Sequence, residues 1–193
     1  MLAADIGQVP MDCFGASDAV RARIVDIGAA AMLALEDGKH VAQLQFRRHA
    51  PILRSPSSIW HPDYWGDFGT TQPVLPTNTL GLFCFHVGQL TDGTERAPAY
   101  QGRGLGLAML DQTLQWANAR GFEAVVAKCT PANPAVMRFM GGLPRRAYEE
   151  RGFSYVAGWV EPELHRALIE RSLVPASSPP EEVATVGMVV RWR

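Results

Sequence analysis

The chain has 193 residues, 47% hydrophobic and 19% charged, the balance of an ordinary globular protein with one hydrophobic core rather than a disordered or fibrous one. Its 18 basic and 19 acidic side chains leave a formal net charge of -1, so the total charge gives a polyanion such as DNA or RNA nothing to bind. Cys13, Cys84 and Cys129 are an odd number without paired spacing, which argues against a disulfide framework and a structural zinc site and points to a reducing compartment. Met1 to Pro10 has no basic head followed by an apolar run, and no stretch approaches the roughly 18 apolar residues that cross a bilayer. A cytoplasmic protein with no metal and no membrane or nucleic-acid partner is expected.

From Ser17 the spacing of Val20, Ile24 and Ile27 predicts a short helix that stops at Gly28. Ala31 to Leu35 and Val41 to Phe46 flank Asp37-Gly38, a hairpin signal because the turn needs positive φ. Residues 51–79 are rich in Pro, Ser and Thr around the aromatic group Trp60, Tyr64, Trp65 and Phe68. A loop of that length in a compact domain is either functional or covers core. Leu80 to Leu90 reads as a buried central strand, followed by a loop from Thr91 to Ala99. Leu107, Leu110, Leu114 and Ala117 share one face of a helix that ends at Arg120-Gly121. Ala124 to Cys129 is a strand, Pro144 to Arg151 a helix closed by Gly152, and Ser154 to Val160 another strand. Pro162 to Ser172 is helical, Pro175 to Pro180 a flexible connector, and Thr185 to Trp192 an edge or terminal strand. The fold class is α+β: one domain over residues 1–193, with a mostly antiparallel sheet in front and a strand-helix-strand unit behind.

The chemistry concentrates in Gln101-Gly102-Arg103-Gly104-Leu105-Gly106. A glycine turn between a strand and a helix gathers backbone N–H groups where the helix dipole amounts to roughly half a positive charge, a place suited to phosphate. The three glycines let the backbone approach a ligand, and Arg103 adds a cation. A nucleotide P-loop needs Lys-Ser or Lys-Thr, and Leu107-Ala108 stand there instead. A dinucleotide turn belongs to the first strand-helix-strand unit, and here a hairpin and another strand come first. A plain glycine-rich connection is the remaining alternative.

These residues resemble the GCN5-related N-acetyltransferase (GNAT) superfamily, whose pyrophosphate loop reads Gln/Arg-x-x-Gly-x-Gly/Ala. Gln101, Gly104 and Gly106 fill its three places, and Ala147 to Phe153 looks like the family's later helix, with Tyr148 four residues before Gly152-Phe153. The resemblance implies a sheet in which Leu80 to Leu90 and Ala124 to Cys129 run parallel and splay apart, with the pantetheine arm of acetyl-CoA between them. It implies cofactor contacts from Val87, Gln101, Gly102, Arg103, Gly104, Leu105, Gly106 and Leu107, and makes a homodimer unsurprising. The chain departs from the family in three places: the long loop Thr91 to Ala99; the segment Pro131 to Leu143, expected to reshape the pocket; and an insertion over 161–184. The family commonly has an asparagine seven residues before the tyrosine; Gly141 stands there, and Asn133 comes earlier.

Amide formation from a thioester needs a proton acceptor for the amine, donors for the oxyanion and an acid for the thiolate. The resemblance assigns the acid to Tyr148. His86 suits the base by its ordinary pKa, though a lone histidine in an apolar strand is commonly a core residue; Asp92 or Glu95 could act through water. The oxyanion donor is expected from a backbone N–H near Val87 or Gly88. Cys129 invites an acyl-cysteine intermediate, but core packing is the stronger expectation. Trp60, Tyr64 and Trp65, with Asp63 and Asp67, either line a pocket for an amine acceptor, small molecule or peptide, or complete the core. The activity expected is direct acetyl transfer to an amine, the alternative being a non-catalytic coenzyme-binding module.

Overall fold

The computed structural model describes residues 1–5, 8, 17–50, 73–89 and 96–193. A short strand β1 (Leu2–Ala3) and helix α1 (Ser17–Ile27) precede the hairpin of β2 (Ala31–Glu36) and β3 (Lys39–Arg48). The hairpin closes on Asp37 and Gly38 at φ 50 and 75, the paired positive values of the tight turn expected there. Strand β4 (Thr79–Val87) lies antiparallel to β3 and is followed by a 3₁₀ turn (Pro98–Tyr100) and helix α2 (Leu105–Ala119). Strand β5 (Ala124–Thr130) then returns parallel to β4. After it come α3 (Pro134–Met140), β6 (Leu143–Pro144), α4 (Arg145–Glu149), β7 (Ser154–Val160), α5 (Pro162–Glu170), α6 (Pro180–Val183) and β8 (Thr185–Trp192). The strands form one sheet in the order β1-β2-β3-β4-β5-β8-β7, with β6 paired to β5.

The main core forms where α2 lies on the sheet. Met109, Leu110, Leu114 and Ala117 recur at helical spacing and pack with Leu44, Phe46, Leu80, Leu82, Val125 and Ala127, and the rings of Phe46 and Trp116 meet at 4.8 Å. Leu110 is fully buried; truncating such a leucine to alanine costs about 2–5 kcal/mol. This packing fixes where α2 begins, and therefore where its N-terminal N–H groups point.

Two sequence expectations change, and a third gains detail. The last strand is no edge: β8 lies between β5 and β7, with Val186 to Val190 buried, because the chain passes through α5 and α6 before returning between β5 and β7, which leaves β7 at the edge. Pro144 to Arg151 is only partly helical, Pro144 preceding α4, and the additional helix α3 stands upstream. The insertion over 161–184 holds two helices with their own apolar cluster, Leu164, Leu168, Val174 and Val183, which closes on Val136 of α3.

The sheet opens in its middle. Pairing of β4 with β5 runs from Thr79↔Ala124 to Leu82↔Ala127 and stops there. Opposite β3 the register shifts at the same level, Gln45 facing Phe83 and Leu44 facing Phe85. Cys84, at φ 49, is the extra residue of a bulge, and a bulge bends its strand. Beyond it β4 stays with β3, while Cys129 and Thr130 of β5 pair with Leu143 and Pro144 of β6.

Candidate active site

At the mouth of this opening Gly102 and Gly104 have φ 69 and 75, and a Cβ built on either meets nothing within 4 Å. Backbone conformation requires glycine at these places, while crowding by the protein does not, so their open side is available to a ligand. No side chain caps α2. Its first helical hydrogen bond is donated by the Ala108 N–H to the Gly104 carbonyl at 3.0 Å, which leaves the N–H groups of Leu105, Gly106 and Leu107 without partners inside the helix. All three residues line a cavity of about 510 Å³.

The cavity is built from four elements. The turn and start of α2 supply Gln101 to Leu107, β4 supplies Phe85 and Val87, α3 supplies Pro134, Met137 and Arg138, and the chain from Gly142 through Pro144 to Ala147 forms the far wall. Gln101 is held in place by its side chain, whose Nε2 donates to the Val87 carbonyl at 2.7 Å. Arg103 turns outward to the hairpin, with Nη2 at 2.6 Å from Glu36 Oε1, and that hydrogen bond holds the Glu36 carboxyl below its usual range. All the cofactor residues expected from the sequence, Val87 and Gln101 through Leu107, therefore surround one space.

The exposed edge of β4 is partly taken by the chain itself. Gly88 N–H donates to the Val41 carbonyl at 2.9 Å, so alternation along the strand turns the backbone groups of Phe85 and Val87 away from β3 and into the opening. This removes Gly88 as an oxyanion donor and leaves the Val87 N–H facing the gap. The Phe85 N–H donates to the Gly141 carbonyl at 2.7 Å, and its carbonyl accepts from Arg96 Nη1 at 3.4 Å. Gly141, at φ 59, lies so close that an added Cβ would stand 3.2 Å from the Phe85 oxygen. Together with β6 it straps the splayed strands.

His86 is 7% exposed and hydrogen-bonded through Nδ1 to Gln89 Oε1 at 3.0 Å. Phe85 and Val87 line the cavity, so alternation sends the His86 side chain to the other face of the sheet. His40 stands near it, its pKa lowered by burial and by repulsion from His86. Tyr148 is 1% exposed and packs edge-on against Phe153 at 5.2 Å; burial raises its pKa. Its neighbour Ala147 lines the cavity, whereas Tyr148 and His86 are not among the lining residues. Cys129 lies in the core, and burial pushes its thiol up to about 11, the opposite of what a nucleophile requires. Trp60, Tyr64, Trp65, Asp92, Glu95 and Cys13 lie outside the described residues.

Sequence reasoning expected Pro131 to Leu143 to reshape the pocket but missed that this segment forms α3. The Asn133 side chain caps that helix, accepting from the N–H groups of Ala135 at 2.9 Å and Val136 at 3.3 Å. An asparagine followed by proline at the first helical position is a start signal visible in the sequence, and it would have placed Pro134, Met137 and Arg138 on a helix.

The sheet thus parts between two parallel strands beside an uncapped helix led by glycines. Residues 27–143 match the model of the acetyltransferase (GNAT) family, and the chain belongs to that family. The match ends before α4, so Tyr148 lies beyond it. No curated protein matches the chain. Among solved structures it is similar to the ribosomal-protein-S18-alanine N-acetyltransferase from Escherichia coli, at 14% identity over 92% of this chain and 77% of that one, with TM-score 0.47. It is also similar to a ribosomal-protein-alanine N-acetyltransferase from Brucella melitensis, at 12% over 91% and 75%, TM-score 0.49. A third, a GNAT-family acetyltransferase from Streptococcus pneumoniae, is 13% identical over 93% and 77%, TM-score 0.47.

Proposed function

We propose that the protein is an acetyl-CoA-dependent N-acyltransferase that moves the acyl group directly to an amine, small molecule or peptide, in a ternary complex. The observation that carries this reading is the unpartnered N–H set of Leu105, Gly106 and Leu107, opening with Gly102 and Gly104 onto a cavity that Phe85 and Val87 of β4 also line. Those N–H groups would hold the coenzyme's diphosphate. The coenzyme supplies the activated thioester. The Val87 N–H would polarise its carbonyl from the strand edge. Tyr148, kept protonated by burial, is the proposed acid for the thiolate, and His86, on the opposite face of β4, the proposed base for the incoming amine. Trp60, Tyr64 and Trp65 are the proposed acceptor contacts. Cytoplasmic location and a homodimer belong to the same reading; among the described residues no helix is long and apolar enough to cross a membrane.

The test is titration of the protein with coenzyme A, followed by consumption of acetyl-CoA over a panel of amines. Tight binding and turnover support the enzyme. A second reading, a coenzyme-binding module without catalysis, is favoured by one observation, that neither Tyr148 nor His86 lines the cavity. Binding without turnover on any amine would select it, and absence of binding would defeat both.

A further inference from the structure

Three arginines line the cavity, Arg96, Arg103 and Arg138. Arg96 donates to the Phe85 carbonyl, and Arg103 is paired with Glu36. Arg138 has no hydrogen-bonded or ion-paired partner among the described residues. Pro134, Met137 and Arg138 fall at i, i+3 and i+4, one face of α3, and all three line the cavity that the glycine turn also lines. The lining therefore holds two separate positive features: the start of α2, and Arg138 of α3.

Resting on the coenzyme reading above, we propose that Arg138 is a specificity-determining residue that binds the 3′-phosphate of coenzyme A and selects it over the 3′-dephospho form. Coenzyme A carries two distinct anionic groups, a diphosphate and a phosphomonoester on the ribose beside it. The N–H groups of α2 account for the first. The second lies at the nucleotide end, next to the diphosphate, and calls for a cation on a neighbouring wall. With a second ionisation near pH 6 the phosphomonoester is close to dianionic at neutral pH, and arginine matches it with a two-pronged donor set and a charge that does not titrate. A merely structural role is also conceivable for a cation in the last turn of α3, where it complements the helix dipole. That role would change stability without changing the choice between the two coenzymes.

The experiment is calorimetric titration of the full chain, wild type and the variants R138Q and R138K, with coenzyme A and with 3′-dephospho-coenzyme A near neutral pH. The wild type is expected to prefer coenzyme A by about tenfold or more, the scale of one hydrogen bond between charged groups. R138Q should lose that preference by weakening coenzyme A alone, and R138K should restore part of it. Below about pH 6 the wild-type preference should narrow as the phosphate loses its second charge. Retention of the wild-type preference by R138Q, equal weakening of both ligands, or a wild type that does not discriminate would each overturn the assignment. Failure of the wild type to bind either ligand would defeat the coenzyme reading as well, an outcome distinct from loss of discrimination.

Discussion

Gly104→Asp separates the fold from the ligand, because the substitution acts on each in a different way. Gly104 sits at φ 75, where a residue with a side chain pays roughly 1 kcal/mol, least for Asp and Asn. An added Cβ meets nothing within 4 Å, so there is no steric cost, and a carboxylate at the start of α2 regains about 0.3–1 kcal/mol from the helix dipole. The net loss is about 1 kcal/mol or less, a fall in Tm of about 2–4 °C for a chain of this size. For binding, the same carboxylate would face the diphosphate. One unit pair of like charges at about 5 Å and an effective dielectric near 20 repels by roughly 3 kcal/mol, or about a hundredfold in Kd. Gly104→Asn carries nearly the same shape without the charge and should lose much less. Thermal unfolding and calorimetric titration with coenzyme A measure both effects on the same samples. Coenzyme binding by Gly104→Asp as tight as by Gly104→Asn would refute the placement of a diphosphate at this helix end.

Tyr148→Phe should leave coenzyme affinity unchanged and lower turnover by about 10²–10⁴-fold, the range of a lost general acid; steady-state assay with any active amine decides, and wild-type turnover would remove Tyr148 from the chemistry. Gly141→Ala should destabilise by about 1–2 kcal/mol through its left-handed backbone and its approach to the Phe85 oxygen. Urea unfolding and faster exchange of the Phe85 amide hydrogen would show it, whereas wild-type protection of that amide would mean that the strap does not hold β4. Burial, aided by Lys128, pushes the His49 imidazole from 6.5 down to about 4, so it is neutral in the folded protein. Its contribution is complete above about pH 6.5 and is lost as pH falls towards 4, by at most about 3 kcal/mol. His49→Gln should flatten the stability profile across that window, and an unchanged slope would assign the pH dependence to other groups.

The features that could be read from the chain are those whose cause is local. Asp37-Gly38 between apolar runs determines its hairpin because a turn of that kind needs positive φ at both places. The apolar spacing of Leu107, Leu110, Leu114 and Ala117 determines α2, and the glycines before it determine a helix start that no side chain caps. The same local reading overlooked α3, although Asn133-Pro134 carries its signal. The place seven residues before Tyr148, where the family commonly has an asparagine, is Gly141 at the end of α3, while Asn133 caps the start of that helix and Tyr148 stands on α4.

From the sequence alone come the α+β class, the family loop and the side chains available near it, since each depends on neighbours within a few residues. Only the tertiary structure decides that β8 runs inside the sheet, that the strands part at the Cys84 bulge, and that the Gly141 carbonyl meets the Phe85 N–H there. The tertiary structure likewise commits Arg103 to Glu36 and puts Arg138 in the lining of the cavity. Each of those outcomes depends on groups far apart in the chain, whose meeting is set by how helices and strands pack and by which buried N–H finds which carbonyl.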